Sequence, residues 1–304
     1  MRIGTSLTET DGPDALDRLS DQIRQAADDG FASGWISNIF GLEALTALAV
    51  AGRNVPGIEL GTAVIPTYPR HPAVLAQQAL TVALALDGRL ALGIGLSHQI
   101  VIENMYGYSF DRPARHMREY LSILVPLMDG EQAAYDGETV RGHIGLSVPR
   151  TGRIPVLLAA LAPRMLKLAG QQADGTVLWM TGPATVRDHI VPSITAAARA
   201  AGRPAPRVVC VLPVCVTDDV PAARAAADKV FAIYGQLPSY RAMLDREGAA
   251  GPGDVAIAGD EDTVAAQISA LADAGVTDFV AGEYARGAER QRTRDLLKSL
   301  IARG

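Results

Sequence analysis

The sequence predicts an α/β protein folded as a (β/α)8 TIM barrel, with insertions after the fourth helix and in the seventh βα unit. Three observations point there. Short β-rich runs alternate with amphipathic stretches, and the alternation repeats eight times. Several of the β-rich runs are almost wholly apolar (IELGTAVI, LALGIGL), which suits parallel strands covered on both faces. The chain has 304 residues, 48% of them hydrophobic, which is enough for one barrel and its core. A doubly wound open sheet is the other arrangement such alternation allows. The first βα turn, IGTSLTETDGPD, lacks the Gly-x-Gly-x-x-Gly that an open sheet uses to hold a dinucleotide.

Taken in order, the strands are expected at 2–7, 34–37, 58–64, 90–96, 155–160, 175–179, 207–216 and 277–281. Helices fall between them at about 14–30, 41–52, 72–87, 113–129, 163–172, 183–201, 219–235 and 262–275, with a last one at 286–302. Residues 130–154, glycine-rich and hairpin-like in alternation, follow the fourth helix. Residues 237–254, rich in Gly and Pro and containing PSYRAML, interrupt the seventh unit. Either insertion could serve as a lid or a rim piece at the catalytic end. No linker divides the chain, so residues 1–304 read as a single domain. The second and third helices carry no charged side chain over 44–52 and 73–86, although a barrel helix normally has one charged face. A covering partner is expected there, most simply in a two-fold homodimer, with cover by the protein's own insertions as the alternative.

Composition removes several function classes. A net charge of −5 with no Lys/Arg block gives nucleic acid little to grip. The longest uncharged apolar run, residues 73–86, is too short to cross a bilayer. The start MRIGTSLTETDGPDAL has no secretory apolar stretch, so a soluble cytoplasmic protein is expected. Cys210 and Cys215 lie five positions apart in one strand and face opposite ways, as buried hydrophobes. Lys167, Lys229 and Lys298 all fall in helices, whereas a Schiff-base lysine belongs at a strand end in a pocket.

Barrel active sites form where strands end, and those ends hold little charge. The five histidines show no metal-ligand spacing, and only His98 sits at a strand end. Glu103 with Asp218 or Asp219 is the best available carboxylate pair, but the aspartates precede a helix and read as N-caps. Ser97 and His98 are adjacent and should point apart, which spoils a nucleophile–base pair. An apolar rim of small residues suits a large flat cofactor. The fifth strand end, PVLLAALAPRMLKLAGQQADG, leads through small residues into a helix with Pro163 in its first turn. Free N–H groups around Leu161, Ala162, Arg164 and Met165 would form an anion site there.

The stretches LGTAVIPTYPRHPAVLAQQAL, GRLALGIGLSH and LLAALAPRMLKLAGQQADGTVLW resemble the luciferase-like oxidoreductase superfamily, and within it the branch that uses coenzyme F420, a 5-deazaflavin. The resemblance covers nearly the whole chain. It implies a third-strand bulge behind the cofactor ring, with a non-prolyl cis peptide at Ala63–Val64. It implies that Leu96, Ser97 and His98 border the ring, and that Ala160, Leu161 and Ala162 hold the cofactor phosphate. Asn38 at the second strand end, with Gly95 at the fourth and Ala159 and Arg164 at the fifth, completes the expected cofactor contacts. His98 aligns with a glutamate that acts as the acid in the deazaflavin-dependent sugar-phosphate dehydrogenase, so it is the expected proton-transfer residue. That enzyme's Asp-His after strand two is replaced by Asn38 and Ile39, which disfavours glucose 6-phosphate as substrate. The expectation is hydride transfer between F420 and an enone, imine or carbonyl compound. An FMN monooxygenase and a cofactor-binding protein without turnover are the alternatives.

Overall fold

The computed structural model describes residues 1–8 and 11–303. Eight parallel strands close into a barrel, as expected. In chain order the barrel elements are β1 Arg2–Leu7, α1 Ala15–Asp28, β2 Ser33–Ile36, α2 Ala44–Ala51, β3 Glu59–Thr62, α3 Pro72–Ala85, β4 Leu90–Gly95, α4 Pro113–Met128 and β5 Val156–Leu158. They continue with α5 Pro163–Gln172, β6 Gly175–Trp179, α6 Val191–Ala200, β7 Arg207–Val216, α7 Val220–Val230, α8 Glu261–Asp273, β8 Asp278–Glu283 and α9 Gly287–Arg303. Each strand pairs in parallel with the next, and β8 returns to β1 with Arg2 opposite Asp278.

The lumen is filled by Trp35, Ala91, Leu157, Val177, Val209, Val211 and Val280. Gly61 makes room for the largest of these, since a Cβ there would lie 2.3 Å from the Trp35 ring. Arg207, Glu59 and Asp278, the first residues of β7, β3 and β8, close the floor below Trp35. The Arg207 guanidinium bonds Glu59 at 2.5 Å and Asp278 at 2.7 Å. The helices pack outside through a continuous apolar cluster. Helix starts follow local chemistry: Asp219 caps α7 by accepting from Ala222 N, and Asp260 caps α8 through Thr263 N.

Several expected boundaries are corrected. The third strand does not run to 64: it ends at Thr62, the Ala63–Val64 peptide is cis, and pairing with β4 resumes at Ile65–Pro66. The helix expected over 183–201 is broken into Pro183–Thr185, a π-helical turn Val186–Ile190, and α6. The one expected over 219–235 breaks at Phe231, before a short helix Ala232–Gln236. The 130–154 segment forms the antiparallel hairpin Ala133–Asp136 with Arg141–Ile144 and packs on α4, where Glu119 accepts from Thr139 N at 2.7 Å. The 237–254 segment forms helices Pro238–Glu247 and Pro252–Val255, followed by a short strand Ile257–Gly259 that pairs with the end of β7. No helix of the described residues is long and apolar enough to cross a membrane.

Candidate active site

The strand ends converge at the barrel mouth. Its floor is the bulge after β3. Thr62 Oγ1 bonds both Gly93 O (2.8 Å) and Gly93 N (2.9 Å), which fixes β3 against β4 at the point where the cis peptide begins. Val64 then lies over Gly95. A Cβ at 95 would come within 2.6 Å of Val64 Cγ2 and 3.2 Å of the Ala159 Cβ, so this close approach requires glycine. Ala63, Val64 and Trp179 sit on top of the lumen residues as an apolar platform.

Beyond Gly95 the chain passes Leu96 and reaches Ser97 at φ 62°, a left-handed conformation uncommon for a non-glycine residue. That turn directs the next residues into the π-helical turn Val101–Met105, whose first amides, Val101 N and Ile102 N, both donate to His98 O. The His98 side chain is half-buried, and burial alone lowers its pKa from the ordinary histidine value. Its ring meets the Tyr240 ring at a centroid distance of 5.5 Å. Among the described residues Ser97 makes no hydrogen bond to His98.

At the end of β5, Ala159 N still bonds Ile94 O, and the chain then leaves the sheet. Ala162 precedes α5 in an extended conformation with no side-chain cap. Met165 N turns back to Ala162 O at 2.9 Å, so the expected free amide at 165 is not available. The N–H groups of Leu161, Ala162 and Arg164 meet no acceptor among the described residues. Leu161 O accepts from His189 Nε2 at 2.8 Å. In a trans peptide the carbonyl and the following N–H point opposite ways, so the Ala162 N–H is turned away from His189. The Arg164 side chain is exposed beside this turn.

Asn38 is only partly free for a ligand, because its Oδ1 accepts from Ala44 N at the start of α2 (3.0 Å). Of the carboxylates considered, Glu103 receives Gln99 Nε2 and Phe110 N, Asp218 pairs with Arg292, and Asp219 caps α7. All three are engaged in these contacts, which argues against a catalytic carboxylate pair.

Sequence reading missed the roof. Tyr240 touches Tyr234 edge-on at 5.3 Å, Tyr234 touches Trp179 at 5.7 Å, Trp179 touches Phe231 at 5.3 Å, and Phe231 touches Tyr284 at 6.1 Å. With His98, these rings link the ends of β4, β6 and β8 through the segment after β7. Trp179 Nε1 is buried without a hydrogen-bond partner among the described residues. A signal was present: aromatic residues make up 5% of the chain, yet Phe231, Tyr234 and Tyr240 fall within ten positions.

The mouth fits a flavin-type cofactor. It offers an apolar platform for a flat ring and, at the α5 start, unpartnered amides beside an arginine for an anionic tail. Comparisons agree. A profile of the luciferase-like monooxygenase family matches residues 1–278. A 5,10-methylenetetrahydromethanopterin reductase of Methanolobus tindarius is 27% identical, over 88% of this chain and 91% of its own. The reductase of that name from Methanopyrus kandleri is 26% identical over 93% and 92%. The solved coenzyme F420 dependent tetrahydromethanopterin reductase from Methanopyrus kandleri superposes with a TM-score of 0.82 at 24% identity, over 98% and 97% of the two chains. A closed parallel barrel with this mouth, matched along most of its length, has one assignment: the chain belongs to the luciferase-like monooxygenase family.

Proposed function

We propose that the protein is a coenzyme F420-dependent reductase or dehydrogenase acting on a small, uncharged or weakly polar enone, imine or carbonyl compound, or on the corresponding alcohol. The observation that carries this reading is the near full-length similarity to methylenetetrahydromethanopterin reductases, because a solved reductase of that kind is F420 dependent. When bound, the deazaflavin supplies or accepts a hydride at its C5 carbon. The chain's own residues would do the rest. Ala63 and Val64 support one face of the ring, with Gly95, Leu96 and Ser97 along its edge. The amides of Leu161, Ala162 and Arg164 hold the phosphate, helped by the positive end of α5. His98 moves the proton at an imidazole nitrogen. Burial keeps that ring neutral near pH 7, which suits a base that takes the hydroxyl proton as an alcohol gives up its hydride. The reverse reduction returns the same proton. The aromatic roof excludes water and favours apolar substrates. We also propose that the uncharged outer stripes of α2 and α3 pair in a homodimer.

The test is a pair of titrations of purified protein, with F420 and with FMN, followed by absorbance and fluorescence. F420 binding with weak or absent FMN binding is expected, and tight FMN binding without F420 binding would reverse the assignment. His98→Ala should then lower turnover by about 10²-fold or more while leaving cofactor affinity nearly intact. Unchanged turnover in that variant removes His98 from the chemistry.

A further inference from the structure

We propose that Tyr240, carried over the barrel mouth by the helix Pro238–Glu247, is a positioning residue that fixes the His98 ring and shields it from water. The inference rests on the reading of His98 as the proton-transfer group. The minimal barrel has no element that would do this, and among the described residues the hydrogen bonds His98 makes are to its backbone carbonyl. The Tyr240 ring meets both the His98 ring (5.5 Å, tilted 55°) and the Tyr234 ring (5.3 Å, edge-on).

The helix that presents Tyr240 is anchored at its far end. The Glu247 carboxylate accepts from Ala184 N at 3.0 Å and Thr185 N at 2.7 Å, in the segment that follows β6. Gly182 provides the room, since a Cβ there would sit 2.3 Å from Glu247 Cδ. Thr185 Oγ1 donates to Met243 O, and Arg241, paired with Asp245 on the same helix, ties the helix to Ala249 O and Ala250 O. A helix fixed this way holds its tyrosine at a set height above the mouth.

The surroundings of His98 make water exclusion readable. Burial is the one cause that depresses its pKa, and no charge contributes. On its own loop, Glu103 is engaged by Gln99 and Phe110. From the roof the titratable groups are the phenols of Tyr234, Tyr240 and Tyr284, which burial pushes up and keeps neutral. Removing the Tyr240 ring therefore admits water and should let the His98 pKa rise toward its ordinary value.

The experiment is an NMR titration of the His98 ring in the cofactor-free full chain, with the signal assigned by its loss in His98→Ala. Wild type should titrate below 6.5, and Tyr240→Phe should match it because the ring remains. Tyr240→Ala should move the midpoint up by about 0.5 or more. If that variant fails to fold, Tyr240→Gln, which keeps a helix-compatible side chain without the ring, is expected to move it the same way. In turnover, the acid limb of the kcat/KM profile should shift with the titration, with full rescue by Tyr240→Phe. An unmoved midpoint in the ring-less variant overturns the inference, and so does an equal shift in Tyr240→Phe. The two readings fail separately. Turnover that survives His98→Ala sinks the proton-transfer role and leaves the titration meaningful, whereas an unmoved titration sinks only the role of Tyr240.

Discussion

Burial sets the behaviour of His98 and His116, and His116 shows this most clearly. It lies on α4, 7% exposed, stacked on Tyr68 at 4.0 Å, with Nε2 against Thr67 Oγ1 at 3.2 Å. Burial pushes its pKa down to about 4, against the opposing pull of Glu119. Since the folded value lies below the unfolded one, the unfolded chain takes up a proton first as pH falls. His116 therefore costs stability progressively from about pH 6.5 down to about 4, by roughly 3 kcal/mol in all. Denaturant unfolding at pH 7 and pH 4.5 should show wild type losing about 2–3 kcal/mol more than His116→Gln over that interval. Equal losses would mean that His116 is not buried neutral. His98 follows the same rule to a lesser degree, and its place at a strand end was legible because barrel chemistry collects there. Tyr240 was not legible as its neighbour: ring contact between the β4 end and an insertion after β7 depends on how the whole mouth folds, and no local spacing encodes it.

At the level of elements, local signals were read well where one residue sets the backbone. Pro163 starts α5, Asp219 caps α7, and the apolar strands lie in the sheet. Departures came where neighbouring elements intervene. The π-helical turn Val186–Ile190 lies just before α6, which packs closely on α5, where a Cβ on Gly170 would be 2.5 Å from Ile194 O. From that turn His189 reaches Leu161 O, while at the α5 start Met165 N closes onto Ala162 O. The free amides are thus fewer than the sequence suggested, and one of them is oriented from a different element. His189→Ala should weaken binding of the phosphate-bearing cofactor by about tenfold, near 1.4 kcal/mol, while affinity for the same cofactor lacking its phosphate changes by less than about twofold. His189→Gln, which keeps a donor, should restore part of the loss. Fluorescence titration with both compounds measures this, and an equal loss for both would place the effect on the fold instead of the phosphate turn.

Across the whole molecule the two barrel ends differ in kind. The floor is tied by charge, with Arg207 bridging Glu59 and Asp278 beneath Trp35, whereas the mouth is roofed by rings with one half-buried histidine among them. Structure is secured below and chemistry is left to the loops above, as the barrel architecture allows. Around the outside, α2 and α3 break the usual pattern of charged outer faces. Their buried sides pack as expected, but Val50 on α2 and Val74 and Leu84 on α3 remain exposed, and the exposed α3 positions between them are Gln77 and Thr81. The absence of charge was visible in sequence; which side chains stay outside required the fold. An uncharged stripe shared by adjacent helices lacks the like-charge repulsion that would keep two copies apart, and pairing it removes apolar surface from water. Light scattering at micromolar concentration should therefore give a dimer mass for wild type and a monomer mass for Val50→Lys with Val74→Lys, with far-UV circular dichroism unchanged between them. A monomeric wild type, or a double variant that stays dimeric, would show that this stripe is not where the subunits meet.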